Sequence, residues 1–347
     1  MDRISVGRPY ECFCGQEIAF DYVCQYIEER SGGALDSDTC RILVVSDRNV
    51  GGYFYSRFEQ QFLDKGIRPN LTIIDAKESY KNLSSVAEVT KSLVDFDFRS
   101  GDWVIALGGG GVLDVTAFAT SLYSADIKLI LVPTTLNAMA EGSVAQNAYI
   151  NSGSHKNALM AKTDITAVFA DPEFLKSVPD KIKTNGYAAV IRYAVIDNPP
   201  LLKELLADSD LRVFLEKVYE SRTSIENKNK ALLTMGSEIS DAIEGYFRFM
   251  NYSEGETLAL GIYSAVPVKF REPLQVLYNK LGLPYVLSGV SSKMILKNLE
   301  DSLRRKNADS IELVDLDVDK RTWVVKNLEY DKAIEILKKR IGVICAE

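Results

Sequence analysis

The stretch GSEISDAIE, residues 236–244, sets Ser237, Asp241 and Glu244 at the i, i+4, i+7 spacing of one helix face, with Ile239 and Ile243 roughly opposite. A stripe of oxygen donors can do acid–base work or hold a hard cation such as Mg or Mn, and Glu141, Glu238 and Glu254 supply further carboxylates of that kind. The competing reading is a plain solvated face. Histidine, the commonest general base and neutral metal ligand, occurs once, as His155 in the loop-like INSGSHKN. Any chemistry here proceeds without a histidine cluster.

A second constellation suits anions. WVIAL runs into Gly108, Gly109, Gly110 and Gly111, and then into a helix expected to start near Asp114. A strand, a glycine turn and a helix N-terminus let backbone N–H groups and the helix dipole face a phosphate. The run is not a G-x-G-x-x-G, and a tight turn without a ligand would use the same glycines. In VPTTLNA, Thr134 and Thr135 close another strand, where they can meet a ligand at the sheet edge or cap the next helix.

The elements that must position these residues follow from periodicity. RILVVSD (41–47), LTIID (71–75), WVIALGGG (103–110), KLILVPTT (128–135) and AVFADP (167–172) read as strands. SSVAEVTKSLVDF (84–96) and LDVTAFATSLY (113–123) read as helices between them, the order of a doubly wound, mostly parallel α/β sheet. From Pro172 onward the pattern turns helical, punctuated by prolines. Two domains are expected, an α/β dinucleotide-binding domain over 1–172 and a mainly α-helical domain over 173–347. Near the end, IELVDLDV and TWVVKNL predict a hairpin, and YDKAIEILKKRI a closing helix.

Composition narrows the function classes. The chain has 347 residues, 46% of them hydrophobic, enough for a large core. A net charge of −7 without a basic run argues against nucleic acid. No apolar run approaches the ~20 residues of a membrane span, and MDRISVGRPYECFCG lacks a signal core, so a cytoplasmic location is expected. The cysteines, five in number and without zinc or disulfide spacing, suit a reducing compartment, with Cys12 and Cys14 on the buried side of a strand.

In order along the chain, ESYKNL, ALGGGGVLDVTAF, VPTTL, HKN, DPEFLKSVP, GYAAVIRYA, ALLTMGSEISDAIE and EGETLALG resemble the motif series of dehydroquinate synthase and the related sugar phosphate cyclases. Their superfamily includes metal-dependent polyol dehydrogenases, and the resemblance covers most of residues 40–325. It implies NAD as cofactor, with Asp47, Glu78, Lys81, Gly109, Gly110, Gly111, Asp114, Thr134, Thr135, Glu141, Lys156, Asn157 and Ser177 at cofactor-binding positions. It implies catalytic positions at Lys156, Arg192, Lys230 and Asp241, and a dimer.

The metal positions of the family depart. Ala189, Ser237 and Glu254 stand where it carries a Glu and two His, and Asp241 stands for another His, so zinc is not expected. Substrate-binding positions change too: Asn147 replaces a Lys, Ala145 and Gln146 replace a Gly pair, and Ala125 replaces an Arg. Positive charge persists at Arg192, Lys230, Arg304, Arg305 and Lys306. A divalent Lewis acid contributes several kcal/mol to such chemistry, so its loss would cost roughly a thousandfold in rate, and unaltered dehydroquinate synthesis is not expected. Two classes stay open: an NAD-binding cyclase homologue acting on a phosphorylated sugar or cyclitol by altered chemistry, and a catalytically inactive NAD-binding homologue with a regulatory or partner-binding role.

Overall fold

The computed structural model describes residues 2–4, 6–33, 35, 40–75, 77–207, 210–305 and 310–345, the side chains of Asp2 and Arg305 excepted. The chain forms two compact units, one of Met1–Ser152, Asn157–Pro179 and Asp210–Glu216, the other of Gly153–Lys156, Asp180–Ser209 and Lys217–Glu347. The helical pattern that begins after Pro172 therefore starts a new unit only at Asp180, and two short segments are exchanged between the units.

The first unit is built on a seven-stranded sheet in the order β1-β2-β9-β6-β5-β3-β4. Its strands are β1 (Asp2–Ile4), β2 (Glu11–Cys14), β3 (Ile42–Asp47), β4 (Asn70–Ile74), β5 (Trp103–Gly108), β6 (Lys128–Pro133) and β9 (Ile165–Ala170). All neighbours pair in parallel except β1 with β2. All six residues of β3 and of β5 are buried, as a sheet covered on both faces requires, whereas β4, at the edge, alternates between part-exposed and exposed until Ile74. The helices are α1 (Ile18–Asp21), α2 (Val23–Arg30), α3 (Arg48–Leu63), α4 (Leu83–Asp95), α5 (Gly110–Leu122), α6 (Leu136–Ala140) and α7 (Glu173–Lys176). Cys12 and Cys14 are both buried on β2, which raises their thiols to about 12 and leaves them unreactive at neutral pH.

Two elements differ from the expectation. INSGSHKN is not a loop: β7 (Asn147–Ser152) and β8 (His155–Lys162) form a separate two-stranded ribbon that turns at Gly153, whose φ of 61° suits glycine. The helix after the glycine run starts at Gly110 rather than near Asp114. Gly110 and Gly111 thus lie in its first turn, where N–H groups have no intrahelical acceptor.

Asp171 shows how a single side chain ties this unit together. Its carboxylate is fully buried and accepts from the backbone N–H of Glu17, Ala19 and Glu173 at 3.1, 3.0 and 2.9 Å, joining the start of α1 to the end of β9.

The second unit is mainly helical, with α8 (Asp180–Ile196), α9 (Leu201–Glu204), α10 (Leu211–Asn229, shared in sequence with the first unit), α11 (Ser237–Tyr246), α12 (Glu254–Ala265), α13 (Val268–Leu281), α14 (Ser292–Arg305) and α15 (Tyr330–Ile344). The hairpin β10 (Ser310–Asp317) and β11 (Thr322–Glu329) pairs in register, Asp317 against Thr322. Within α12, Ser253 and Glu256 make a reciprocal capping box that fixes the first turn. α12 is nearly all buried, and glycine lets its neighbours approach. A Cβ on Gly255 would lie 2.2 Å from the Asn185 carbonyl of α8, and one on Gly261 would lie 2.1 Å from that of Gly236, just before α11. Among the described residues no helix is long and apolar enough to cross a membrane.

Candidate functional site

In the first unit, parallel register aligns the carboxyl ends of three adjacent strands: Gly108 lies beside Pro133 and Leu107 beside Ser46. Asp47, the glycine turn and Thr134 are therefore grouped at one sheet edge, where open α/β sheets bind ligands. Asp47 is buried and its Oδ1 accepts from Asn49 N and Val50 N at 2.8 and 3.1 Å, capping α3. Thr135 likewise caps α6, its hydroxyl accepting from Ala138 N at 3.2 Å.

Thr134 is different. Its hydroxyl is buried and has no hydrogen-bond partner, a state rare enough in native proteins to require a reason. The glycines of the turn also divide by role. A Cβ on Gly108 would strike Val112 at 2.7 Å, so that glycine serves packing, whereas a Cβ on Gly110 would meet nothing within 4 Å. Protein packing does not demand glycine at 110. Open space over a helix N-terminus, beside an unsatisfied buried hydroxyl, fits a dinucleotide pyrophosphate.

A polar network lies beside the turn. Lys81 is buried and its ammonium contacts Asp114 at 2.5 Å, Asn157 Oδ1 at 3.1 Å and Glu78 at 3.9 Å. Burial raises the Asp114 carboxyl above its usual range, and Lys81 opposes the shift. Asn151 completes the network: its amide donates to Glu78 at 2.8 Å, and its Oδ1 accepts from Asn157 N at 2.8 Å. Asn157 holds φ at 51°, the left-handed conformation that Asn tolerates. Asn151 gave no signal in the sequence, since a lone Asn in INSG looks like turn chemistry. Glu141 stands at the junction of α6 and a 3-10 turn, and Ser177 is exposed at the end of α7.

In the second unit, the polar stripe of α11 belongs to an ion cluster that is buried at Lys156 and Glu244 and part-exposed at Asp241 and Glu254, rather than to a plain solvated face. The Lys156 side chain is only 4% exposed, and its ammonium contacts Glu244 at 2.7 Å, Glu254 at 2.9 Å and Asp241 at 4.0 Å. Glu244 is 1% exposed, and its Oε1 also accepts from Thr257 at 3.0 Å and Ser240 at 3.3 Å. Arg192, buried on α8, donates to the Ser237 hydroxyl at 3.3 Å, and Ala189, one turn earlier, is fully buried. Lys230 is exposed at the start of the 3-10 turn 230–234, and Arg304 is exposed on α14; Lys306 lies outside the described residues.

Burial pushes the Glu244 carboxyl up to about 7; Lys156 pulls it down, and Glu254 and Asp241 push it further up. With the folded value above the unfolded one, this group's contribution to stability is fully present below about pH 4.5 and is lost as pH rises through about 7. Glu244→Gln cannot ionise, so its melting temperature relative to wild type is expected to rise between about pH 5 and about pH 8. A fall over that range would mean that pairing with Lys156 outweighs burial.

The donor set does not fit a zinc ion. Ala189 offers no ligand atom, the Ser237 hydroxyl is engaged by a guanidinium, and Glu254 is held by an ammonium. The alternative of a Mg or Mn site rebuilt from Glu141, Glu238, Asp241 and Glu254 gains no support, since among the described residues no three His, Cys, Asp or Glu are disposed around a metal position.

The sequence model of the family described as 3-dehydroquinate synthase N-terminal matches residues 71–185. Relatives include the 3-dehydroquinate synthase of Prochlorococcus marinus strain MIT 9515, 32% identical over 239 residues that cover 64% of this chain and 66% of that protein. The 3-dehydroquinate synthase of Clostridium kluyveri is 28% identical over 286 residues, 78% of this chain and 79% of that one. Among solved structures, the 2-epi-5-epi-valiolone synthase of Streptomyces hygroscopicus with NAD+ and Zn2+ bound superposes with a TM-score of 0.79 at 19% identity, covering 99% of this chain and 98% of that one. A 2-deoxy-scyllo-inosose synthase complexed with carbaglucose-6-phosphate, NAD+ and Co2+ gives 0.74 at 19% identity, covering 98% and 99%. The chain belongs to the dehydroquinate synthase-like superfamily, and its relatives group it with the sugar phosphate cyclases of that superfamily. The solved structures share its fold, an α/β unit with a mostly parallel sheet and a mainly helical unit.

Proposed function

We propose that the protein binds NAD at the glycine turn and acts on a phosphorylated sugar or cyclitol without a resident zinc ion. The observation that supports this reading is the uncrowded Gly110 at the N-terminus of α5, set at the carboxyl ends of β3, β5 and β6 with Asp47 and Thr134. Gly110 and Gly111 N–H would hold the pyrophosphate, and Lys81, Asp114 and Asn157 would supply polar contacts to the rest of the dinucleotide. NAD supplies reversible hydride transfer when bound. The neighbours whose complexes hold NAD+, with a metal ion and in one case a sugar phosphate analogue, support the same substrate class. In the second unit, Arg192 and the Lys156 ammonium are two of the buried cations and would face an anionic group, and Glu254, partly exposed, would exchange a proton.

A catalytically inactive NAD-binding role is the second reading, favoured by the donorless Ala189. Calorimetric titration with NAD is expected to show binding with a Kd on the order of micromolar, about −8 kcal/mol, on protein that elemental analysis finds free of stoichiometric zinc. No heat of binding under conditions where the protein is folded would overturn the proposal.

A further inference from the structure

Each charge in the α11 cluster has a partner, yet the balance is unusual. The carboxylates of Glu244, Glu254 and Asp241 converge on one side chain, and that side chain is not a metal ligand but Lys156, reaching in from the ribbon turn. Its ammonium is at hydrogen-bond distance from two of them and within ion-pair distance of the third. Of the positions that the resemblance marks as metal ligands, Ala189 has no donor, Glu254 meets the Lys156 ammonium and Ser237 receives the guanidinium of Arg192; Asp241 stands where the family has a further His. Both of those positions that carry a side-chain oxygen are thus engaged by an organic cation.

Resting on the reading above that no zinc is resident, we propose that Lys156 is the built-in cation of this site: its ammonium takes the electrostatic place of the divalent ion and closes the Asp241, Glu244 and Glu254 cluster to metals. Several features support this. The lysine stem is buried, so the ammonium cannot swing into solvent without the desolvated Glu244 carboxylate being left behind. The ribbon turn that delivers it is pinned against α11, because a Cβ on Gly245 would lie 2.7 Å from the Ser154 carbonyl. Ser240 and Thr257 then fix the Glu244 oxygen that Lys156 contacts. An ammonium donates directional hydrogen bonds and can stabilise developing negative charge, but it has no empty orbital to coordinate a hydroxyl. Chemistry at this site would thus be proton exchange through the Lys156–Glu254 pair rather than Lewis-acid activation.

The test is thermal melting of the full chain with EDTA, Mn2+ or Zn2+, together with NAD titration of each sample. Wild type is expected to melt at the same temperature in all three conditions. Lys156→Ala is expected to melt lower by about 5–10 °C, and to recover part of the loss with Mn2+, as the part-exposed Asp241 and Glu254 rearrange around a hard cation once the ammonium is gone. Lys156→Arg should remain indifferent to Mn2+. If Lys156→Ala does not fold, Lys156→Ala with Glu244→Gln removes a buried charge of each sign and is expected to restore folding. Wild type that takes up one Mn2+ or Zn2+ with a rise in melting temperature would overturn the proposal. So would a Lys156→Ala protein as stable as wild type, or a double variant that fails to fold. NAD binding in the EDTA sample reports on the cofactor reading independently, so the two failures are distinguishable.

Discussion

Gly110→Val is expected to weaken NAD binding by at least about 100-fold, equivalent to about 2.7 kcal/mol, while the melting temperature stays near that of wild type. The two halves of this expectation have separate causes. A side chain at 110 projects into space in which a Cβ finds no protein atom within 4 Å, so the fold has nothing to lose. Gly110 is the first residue of α5 and is not among the positive-φ glycines, so a side chain there restricts the unfolded chain without straining the folded one, and stability is flat or slightly raised. A pyrophosphate seated on the turn is displaced by the same side chain and loses charge-assisted hydrogen bonds worth about 1.5–3 kcal/mol each. Calorimetry and thermal melting on one preparation decide the matter. Unchanged affinity would mean that the turn does not seat the phosphates; a large fall in melting temperature would mean that Gly110 serves packing after all.

Gly261→Ala is expected to destabilise the protein by at least about 3 kcal/mol in urea unfolding. In an uncrowded helix interior the same change stabilises by about 0.5–1 kcal/mol, so the expected sign is reversed. The cause is local: the new methyl would lie 2.1 Å from the Gly236 carbonyl oxygen and 2.8 Å from its carbon. These are backbone atoms, and Gly236 is itself held at φ 83°, so the neighbour has little room to give. Because Gly236 precedes the helix that carries Ser237, Asp241 and Glu244, the variant should also disturb the ion cluster. A stabilised Gly261→Ala protein would show that α11 and α12 do not pack as closely as described.

The core of the α/β unit was plain in the sequence because parallel strands buried on both faces are continuous apolar runs; β3, β5, β6 and β9 could be read directly. The β7–β8 ribbon could not, because β8 is half exposed and its polar residues, HKNALMAK, carry a turn's composition. The start of α5 was misplaced for a related reason. Glycines disfavour a helix interior but are tolerated in its first turn, so composition alone set the boundary four residues late. The motif series singled out Lys81, Asp114, Lys156 and Asp241, which the structure places in the two charged networks. It could not reveal that Glu244 is buried, that Asn151 links Glu78 to Asn157, or that Arg192 caps the Ser237 hydroxyl. Those facts depend on which residues distant in the chain come together, and one chain's periodicity carries no such information. The same holds for the stripe on α11, whose spacing alone is equally that of a solvated face; only the arrival of Lys156, 88 residues away from Glu244, makes it a charged cluster with a buried pair at its centre.

The central claim is that one unit keeps a dinucleotide seat while the other holds a carboxylate cluster whose cation is a lysine. A crystal structure of the protein grown with NAD and Mn2+ tests both parts at once. The expected result is the pyrophosphate on the Gly110 and Gly111 N–H groups, with the Thr134 hydroxyl partnered and Lys156 still between Glu244 and Glu254. A glycine turn closed by protein side chains, or a divalent ion bound by Asp241 and Glu254 with Lys156 turned away, would contradict it.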